Sequence, residues 1–267
     1  MNWKRLQNRI RTVLAVVLLT GCLCACGSSA ATEPETVEET AAPTPSATPT
    51  PTATPEPLET PYVYDGPDLA EQPRADDSFF ADAAFFGNSL VDGLRAFGGL
   101  ESASFFASTS ASVVSVSMTK NMTLSDGSSG TMLQALCEQE YAKLYILLGI
   151  NEIGFEPAQF IQLYSAVLDT IQESQPDADI YIMSLTPVTE RKSAEGALFS
   201  EERVLEYNAT LYALAAERQC YYVDLVEALA GEDGYLPEEQ STDGIHLTVD
   251  KYPEWADYLR THYVAKE

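Results

Sequence analysis

The chain has 267 residues and a formal net charge of −25, from 15 Lys+Arg against 40 Asp+Glu. This balance argues against nucleic acid and anionic lipid head groups as binding partners, because affinity for phosphate depends on Lys and Arg side chains that neutralise it. Apolar segments run throughout residues 78–267, which is enough chain for one domain with a substantial core.

Residues 1–26 have the pattern of a secretory signal peptide. Basic residues precede the apolar run 13–19, which is too short to span a bilayer as a mature helix. Two overlapping sequences resemble a bacterial lipobox, in which a cysteine becomes the lipidated first residue of the mature protein; one ends at Cys22 and the other at Cys26. We predict cleavage before Cys22 or Cys26 and a lipid anchor in the outer face of the cell membrane. An ordinary cleaved signal with incidental cysteines is the alternative.

Residues 27–77 lack apolar periodicity and are rich in Thr, Pro, Ala, Ser and Glu. Within them, the Pro-rich stretch 43–57 favours polyproline II at about 3.1 Å per residue, so it would reach roughly 45 Å. We predict a disordered linker that holds the folded domain away from the membrane. A disordered tail with no required length is the alternative.

Strands and helices alternate along the rest of the chain. The predicted strands are 83–87, 104–107, 142–149, 179–185 and 220–225, and the predicted helices are 90–97, 131–140, 157–175, 200–218 and 253–264. The continuous apolar run 142–149 is typical of a strand buried on both faces of a parallel sheet. This alternation predicts right-handed crossovers and a three-layer α/β/α sandwich.

Ser89 lies in the sequence Gly87-Asn88-Ser89-Leu90, which predicts a tight turn between a buried strand and a helix. Such a turn places the serine at the carboxyl edge of the sheet, where open α/β sheets bind ligands, and at the positive end of a helix dipole. The position suits a nucleophile, and a simple helix cap is the alternative.

Asn151 comes just after the most apolar predicted strand, at the edge where Ser89 is expected. An amide in this position can donate a hydrogen bond to a developing oxyanion. A helix cap or a contact that holds a loop is the alternative.

A candidate general base is His246, three residues after Asp243. One turn can place the Asp243 carboxylate against Nδ1 of the imidazole, which leaves Nε2 free to take a proton from Ser89. The other histidine, His262, lies in an apolar helical pattern, where a structural role is expected.

Outside the signal region the cysteines are Cys137 and Cys220, both in apolar segments. Neither belongs to a Cys-x-x-Cys pair or has a histidine beside it, so a zinc site is not expected. We expect two buried free thiols, with one disulfide as the alternative. No metal or organic cofactor is predicted.

Over residues 80–264 the chain resembles the SGNH (GDSL-type) hydrolases. The motifs that carry the resemblance are 85–90 (Phe-Phe-Gly-Asn-Ser-Leu), 149–152 (Gly-Ile-Asn-Glu) and 243–247 (Asp-Gly-Ile-His-Leu). The resemblance implies a flavodoxin-like α/β/α fold and serine-dependent ester hydrolysis. It also implies an oxyanion hole formed by the Ser89 N–H, a glycine N–H and the Asn151 side chain.

Three positions depart from the family's pattern. Asn88 and Glu152 each stand where the family has Asp. The family has four motifs, and the one not matched above carries a glycine that has no counterpart in the loop 108–112, where Ser110 is the nearest match. The backbone N–H of Ser110 can still serve as an oxyanion donor. Its Cβ, however, crowds the acyl oxygen, and its backbone loses easy access to positive φ.

The sequence therefore predicts a bacterial surface lipoprotein that hydrolyses small O-acyl esters, acetyl esters above all. Its substrate would be a small acyl ester or an acylated glycan. One alternative is a lipase or thioesterase for long acyl chains, with an apolar lid in residues 110–130. The other is a catalytically idle glycan-binding module on the same fold.

Overall fold

The computed structural model of the protein describes residues 62–266. Its main sheet has five parallel strands: β1 (Ala83–Gly87), β2 (Ser104–Ala107), β5 (Lys143–Leu147), β6 (Asp179–Met183) and β7 (Tyr221–Val223). The spatial order is β2-β1-β5-β6-β7. Two short strands, β3 (Met122–Thr123) and β4 (Ser129–Gly130), form a separate antiparallel pair.

Helices cover both faces of this sheet. They are α1 (Ser89–Phe97), α2 (Ser115–Met118), α3 (Met132–Leu136), α4 (Pro157–Ser174), α5 (Glu190–Ala194), α6 (Glu201–Glu217), α7 (Leu225–Leu229) and α8 (Tyr252–Leu259). One buried cluster joins the sheet to α3, α4 and α6, and a second joins it to α1, α7 and α8. The three-layer α/β/α sandwich with a parallel sheet is confirmed.

Both faces of the strands are buried because their apolar residues are nearly continuous. Phe86 and Ile146 belong to the cluster with α4, and their neighbours Phe85 and Tyr145 belong to the cluster with α1. On the α1 side, aromatic rings in register form a row across the sheet: Phe105, Phe85, Tyr145, Tyr181 and Tyr221, with successive centroids 4.9, 4.7, 4.5 and 5.3 Å apart. Such pairs contribute about 0.5–1.5 kcal/mol each beyond their buried area.

Each predicted strand and helix of the domain is present, but the strands predicted at 142–149, 179–185 and 220–225 are two or three residues shorter, and two helices also end earlier than the pattern predicts. The helix expected at 131–140 ends at Leu136, since the Glu138 carboxylate turns to accept the Ser125 N–H of the β3–β4 turn at 2.9 Å. The helix expected at 253–264 ends at Leu259, because the residues after it pair with a segment that precedes β1.

That segment, residues 62–76, lies against the domain, although the sequence predicts a disordered linker here. Tyr64 Oη donates to the Cys220 carbonyl at 3.0 Å, and the Pro67 carbonyl accepts the Tyr222 N–H at 2.8 Å. Gln72 N–H donates to the Thr261 carbonyl at 2.6 Å. We call residues 62–76 the amino-terminal strap; they pack on the domain, so the folded part of the chain includes residues before 78.

The predicted signal peptide, both lipobox cysteines and residues 27–61 of the predicted linker lie outside the described residues. Within residues 62–266, no helix has both the length and the apolar character needed to cross a membrane. Cys137 and Cys220 are both free thiols, as expected, although Cys137 is only partly buried.

Candidate active site

Three loops begin side by side at the carboxyl edge of the sheet. Gly87, the last residue of β1, is in register with Ala107 at the end of β2 and with Leu147 at the end of β5. The chain passes from β1 to β2 on one side and then returns to β5 on the other, which makes this edge the topological switch point of the sheet. Open α/β sheets bind their ligands in the crevice at such a point.

Ser89 is the first residue of α1 and lies at this switch point. A Cβ at Gly87 would lie 2.5 Å from the Leu147 carbonyl oxygen, so only glycine lets the turn before Ser89 pack this closely on β5. Asn88 caps the helix, because its Oδ1 accepts the Leu90 N–H at 3.0 Å. Asn88 therefore keeps the capping contact that the turn needs without the charge of an aspartate. The N–H of Ser89 has no acceptor within the helix.

The structure brings Ser89, His246 and Asp243 together in one hydrogen-bonded chain. Ser89 Oγ is 3.0 Å from His246 Nε2, and His246 Nδ1 is 2.8 Å from Asp243 Oδ2. The other carboxylate oxygen of Asp243 accepts the N–H groups of Ile245 at 3.0 Å and His246 at 2.8 Å. Asp243 therefore fixes both the ring and the backbone of the histidine.

Asp243 is ionised in this arrangement. Partial burial by itself would raise the pKa of the carboxyl, but the hydrogen bonds from the backbone N–H and ring of His246 and from Ile245 outweigh it and hold the pKa below its usual range. An ionised carboxylate at Nδ1 keeps the proton on that nitrogen, so Nε2 can accept a proton from Ser89.

The turn that carries the histidine depends on Gly244 and on two further residues, Ser241 and Thr189, that belong to none of the motifs. Ser241 Oγ donates to the His246 carbonyl and accepts the Gly244 N–H, each at 2.8 Å. Thr189 N–H donates to the Gly244 carbonyl at 3.0 Å. Gly244 has φ +92°, and a Cβ there would lie 2.5 Å from Lys192 Cβ. Ser-Thr-Asp-Gly is a typical turn sequence, and this composition is the one local feature that indicates a turn-stabilising role for Ser241.

Ser110 is exposed and lies on the loop 108–112 that follows β2. Its carbonyl accepts a hydrogen bond from Ser115 Oγ at 3.0 Å, whereas its N–H has no acceptor among the described residues. The loop reaches this form without positive φ at Ser110, since Gln219 is the one described non-glycine residue with positive φ. The absent glycine is thus not required for the backbone conformation.

Asn151 lies at the same edge, exposed, in the short 3-10 helix after β5. Its Nδ2 donates to the Ala111 carbonyl at 2.8 Å and lies 3.4 Å from the Thr109 carbonyl. One amide hydrogen therefore holds the loop 108–112, as the alternative, structural interpretation of Asn151 predicts. The second is only weakly engaged, which leaves it able to donate elsewhere.

Gly149 gives this 3-10 helix its position. Its φ of +132° is poorly accessible to other residues, and a Cβ there would lie 2.9 Å from the ring of Phe160.

In the part of the chain that the structure describes, no group of three or more His, Cys, Asp and Glu side chains is arranged to hold a metal ion.

Known proteins resemble this chain in sequence pattern and in fold. The family model of the GDSL-like lipase/acylhydrolase family matches residues 85–252. A solved structure from Streptococcus pneumoniae, described as a platelet activating factor, is 21% identical with a TM-score of 0.53 and covers 69% of this chain and 89% of that one. A GDSL-like lipase from Bacteroides thetaiotaomicron is 13% identical with a TM-score of 0.50, over 70% of this chain and 89% of that one.

No curated protein matched this chain in sequence. At the identities of these solved structures, the similarity establishes the fold alone. The family model covers more than half of the chain and includes the segments that carry Ser89, Asn151, Asp243 and His246. The chain therefore belongs to the GDSL-like lipase/acylhydrolase family, a family of hydrolases that act on esters.

Proposed function

We propose that the protein is a serine esterase that hydrolyses small O-acyl esters, acetyl esters above all, by a Ser89–His246–Asp243 triad. The observation that carries this proposal is the continuous hydrogen-bonded chain from Ser89 Oγ through the imidazole to Asp243, with distances of 3.0 and 2.8 Å. Its substrates would be small acyl esters or acylated glycans, and no metal or organic cofactor takes part in the reaction.

Ser89 Oγ attacks the ester carbonyl carbon while His246 Nε2 takes its proton, and Asp243 stabilises the resulting imidazolium. The carbonyl oxygen becomes an oxyanion that accepts hydrogen bonds from the N–H groups of Ser89 and Ser110 and from Asn151 Nδ2. His246 then gives the proton to the departing alcohol, which leaves an acyl group on Ser89. Water repeats the sequence, so that the acid is released and Ser89 regains its proton.

The packing of residues 110–130 favours short acyl groups over long ones. The apolar residues there that could form a lid are Met118, Met122 and Leu124; both methionines pack against the main core cluster, whereas Leu124 is partly buried and lies outside it. Val113 and Val116 of the same segment are buried in that cluster. A lid over a long acyl chain needs several apolar side chains that are free to cover it, and here two of the three candidates are packed against the core.

Hydrolysis of aryl esters from acetyl to palmitoyl tests the proposal directly. We expect kcat/KM to be highest for the acetyl ester and not to rise with acyl length, because the segment 110–130 offers the added methylene groups few free apolar side chains to contact. A rise toward palmitoyl would support the lipase alternative. No turnover of any ester would support the idle glycan-binding module.

We also propose that the protein is attached to the outer face of the cell membrane by an acylated cysteine, Cys22 or Cys26. Support comes from the two lipobox sequences and the Pro-rich stretch after them. One acyl chain binds a bilayer only marginally, so stable attachment needs a diacylated cysteine. The wild type should enter the detergent phase in a partitioning assay, and the double variant Cys22→Ser, Cys26→Ser should stay in the aqueous phase. Equal partitioning of the two would contradict the anchor.

A further inference from the structure

Glu152, the residue after Asn151, is a buried carboxyl group that the triad mechanism does not use. Its side chain is 1% exposed. One carboxylate oxygen accepts the backbone N–H of Val113, and the other has no hydrogen-bond partner among the described residues. Two successive residues therefore hold the same loop, since Asn151 binds the Ala111 carbonyl at 2.8 Å.

Within residues 62–266, no basic side chain forms an ion pair with this carboxyl group. The titratable side chains packed around it are the phenols of Tyr164 on α4 and Tyr207 on α6, and burial raises the pKa of both, so they are neutral. Tyr207 Oη donates to the Glu152 backbone carbonyl rather than to the side chain. The nearby guanidinium of Arg203 donates to the carbonyls of Ile153 and Phe155. An unpaired buried carboxylate is costly, so packing alone would favour an apolar side chain here.

We propose that Glu152 is a positioning residue of the esterase site, whose ionised carboxylate holds the loop 108–113 so that the Ser110 N–H faces the oxyanion. The inference rests on the proposed function. It is carried by the hydrogen bond to Val113, three residues from Ser110, and by the burial of the carboxyl group behind the loop.

The strength of this contact depends on the charge of Glu152. Burial raises the pKa of the carboxyl to about 7, although the Val113 N–H partly opposes the shift. An ionised acceptor makes a hydrogen bond about twice as strong as a neutral one. Protonation near neutral pH therefore loosens the loop, and small displacements of an oxyanion donor have large effects on rate.

Glu152→Gln mimics the protonated state at every pH. We expect kcat/KM for aryl acetates to be about tenfold below wild type near pH 9 and within about twofold of it near pH 5.5, with the loss in kcat rather than KM. Both proteins keep the same Ser89, His246 and Asp243, so the ratio of the two rates isolates Glu152. Glu156→Gln is the matched control, because it removes an exposed carboxylate from the same segment; its ratio to wild type should not change with pH.

Two readouts do not depend on catalysis. Backbone deuterium exchange of residues 108–116 in wild type should slow as pH rises through about 7, after correction for intrinsic rates, and should lose this step in Glu152→Gln. Because the folded carboxyl binds its proton more tightly than the unfolded one, ionisation costs the wild type stability between pH 4.5 and about 7. The Tm of Glu152→Gln relative to wild type should therefore rise across this interval.

A rate ratio that is independent of pH, or exchange that is equal in the two proteins, would overturn the role of Glu152. If wild type hydrolyses no ester, the proposed function fails, and deuterium exchange alone decides whether Glu152 holds the loop. The two failures are thus distinguishable.

Discussion

Ser89→Ala and His246→Ala should each lower kcat for an acetyl ester by about 10⁴–10⁶-fold. Ser89 is inert at its own pKa and must lose its proton to the imidazole as it attacks, so neither residue works without the other. The double variant should be little slower than either single variant for the same reason. Steady-state kinetics on an aryl acetate measures all three.

Asp243→Asn should be milder than either change, because a correctly placed imidazole can still act part of the time. His262→Ala is the control: that ring stacks on Tyr258 with centroids 3.7 Å apart and binds the Tyr258 carbonyl, away from Ser89. Its loss should leave kcat unchanged. If His246→Ala kept more than about a tenth of wild-type activity, a loss below ~1.4 kcal/mol, the triad would have to be abandoned.

Asn151→Ala should lower kcat by about 10²–10³-fold with little change in KM, as loss of one preorganised oxyanion donor does. The side chain is exposed, so water can replace its hydrogen bond to the Ala111 carbonyl. We therefore expect the free energy of unfolding to change by less than about 1 kcal/mol. Kinetics and denaturant unfolding of the same preparation give both values.

Asn121→Ala is a matched control for this prediction. Asn121 is also exposed, and its amide contacts the same loop through Ser108 Oγ at 3.4 Å. Its removal should leave kcat unchanged if Asn151 acts on the oxyanion. A large loss of stability in Asn151→Ala that accompanies the loss of activity would instead support a purely structural role.

The architecture could be predicted because the signals for it are local. Continuous apolar runs such as Leu144–Leu148 mark buried parallel strands, and Pro157 marks the start of α4 in both the pattern and the structure. The ends of helices were less predictable where they depend on contacts with residues that are distant in the sequence. The last helix stops early because Thr261 and His262 pair with the amino-terminal strap, about 190 residues away in sequence.

The residues of the site also fall into two groups: those in local motifs could be predicted, and those placed by contacts between distant loops could not. Ser89, Asp243 and His246 lie in short motifs whose turn residues, Gly87 and Gly244, are required by close packing that glycine alone allows. The contact between Glu152 and Val113 could not be predicted, because it joins two loops that only the finished sheet brings together. A Glu in place of the family's Asp was visible in the sequence, but its burial was not.

The strap also protects an edge of the sheet. β7 is the last strand on its side, and a strand there offers unpaired backbone groups to any other extended chain. The Pro67 carbonyl accepts a hydrogen bond from the Tyr222 N–H of that strand. Because proline has no N–H, it cannot donate a hydrogen bond to another extended chain. A fragment cut at residue 78 would expose β7 and invite edge-to-edge aggregation, whereas one that retains the strap keeps the edge covered.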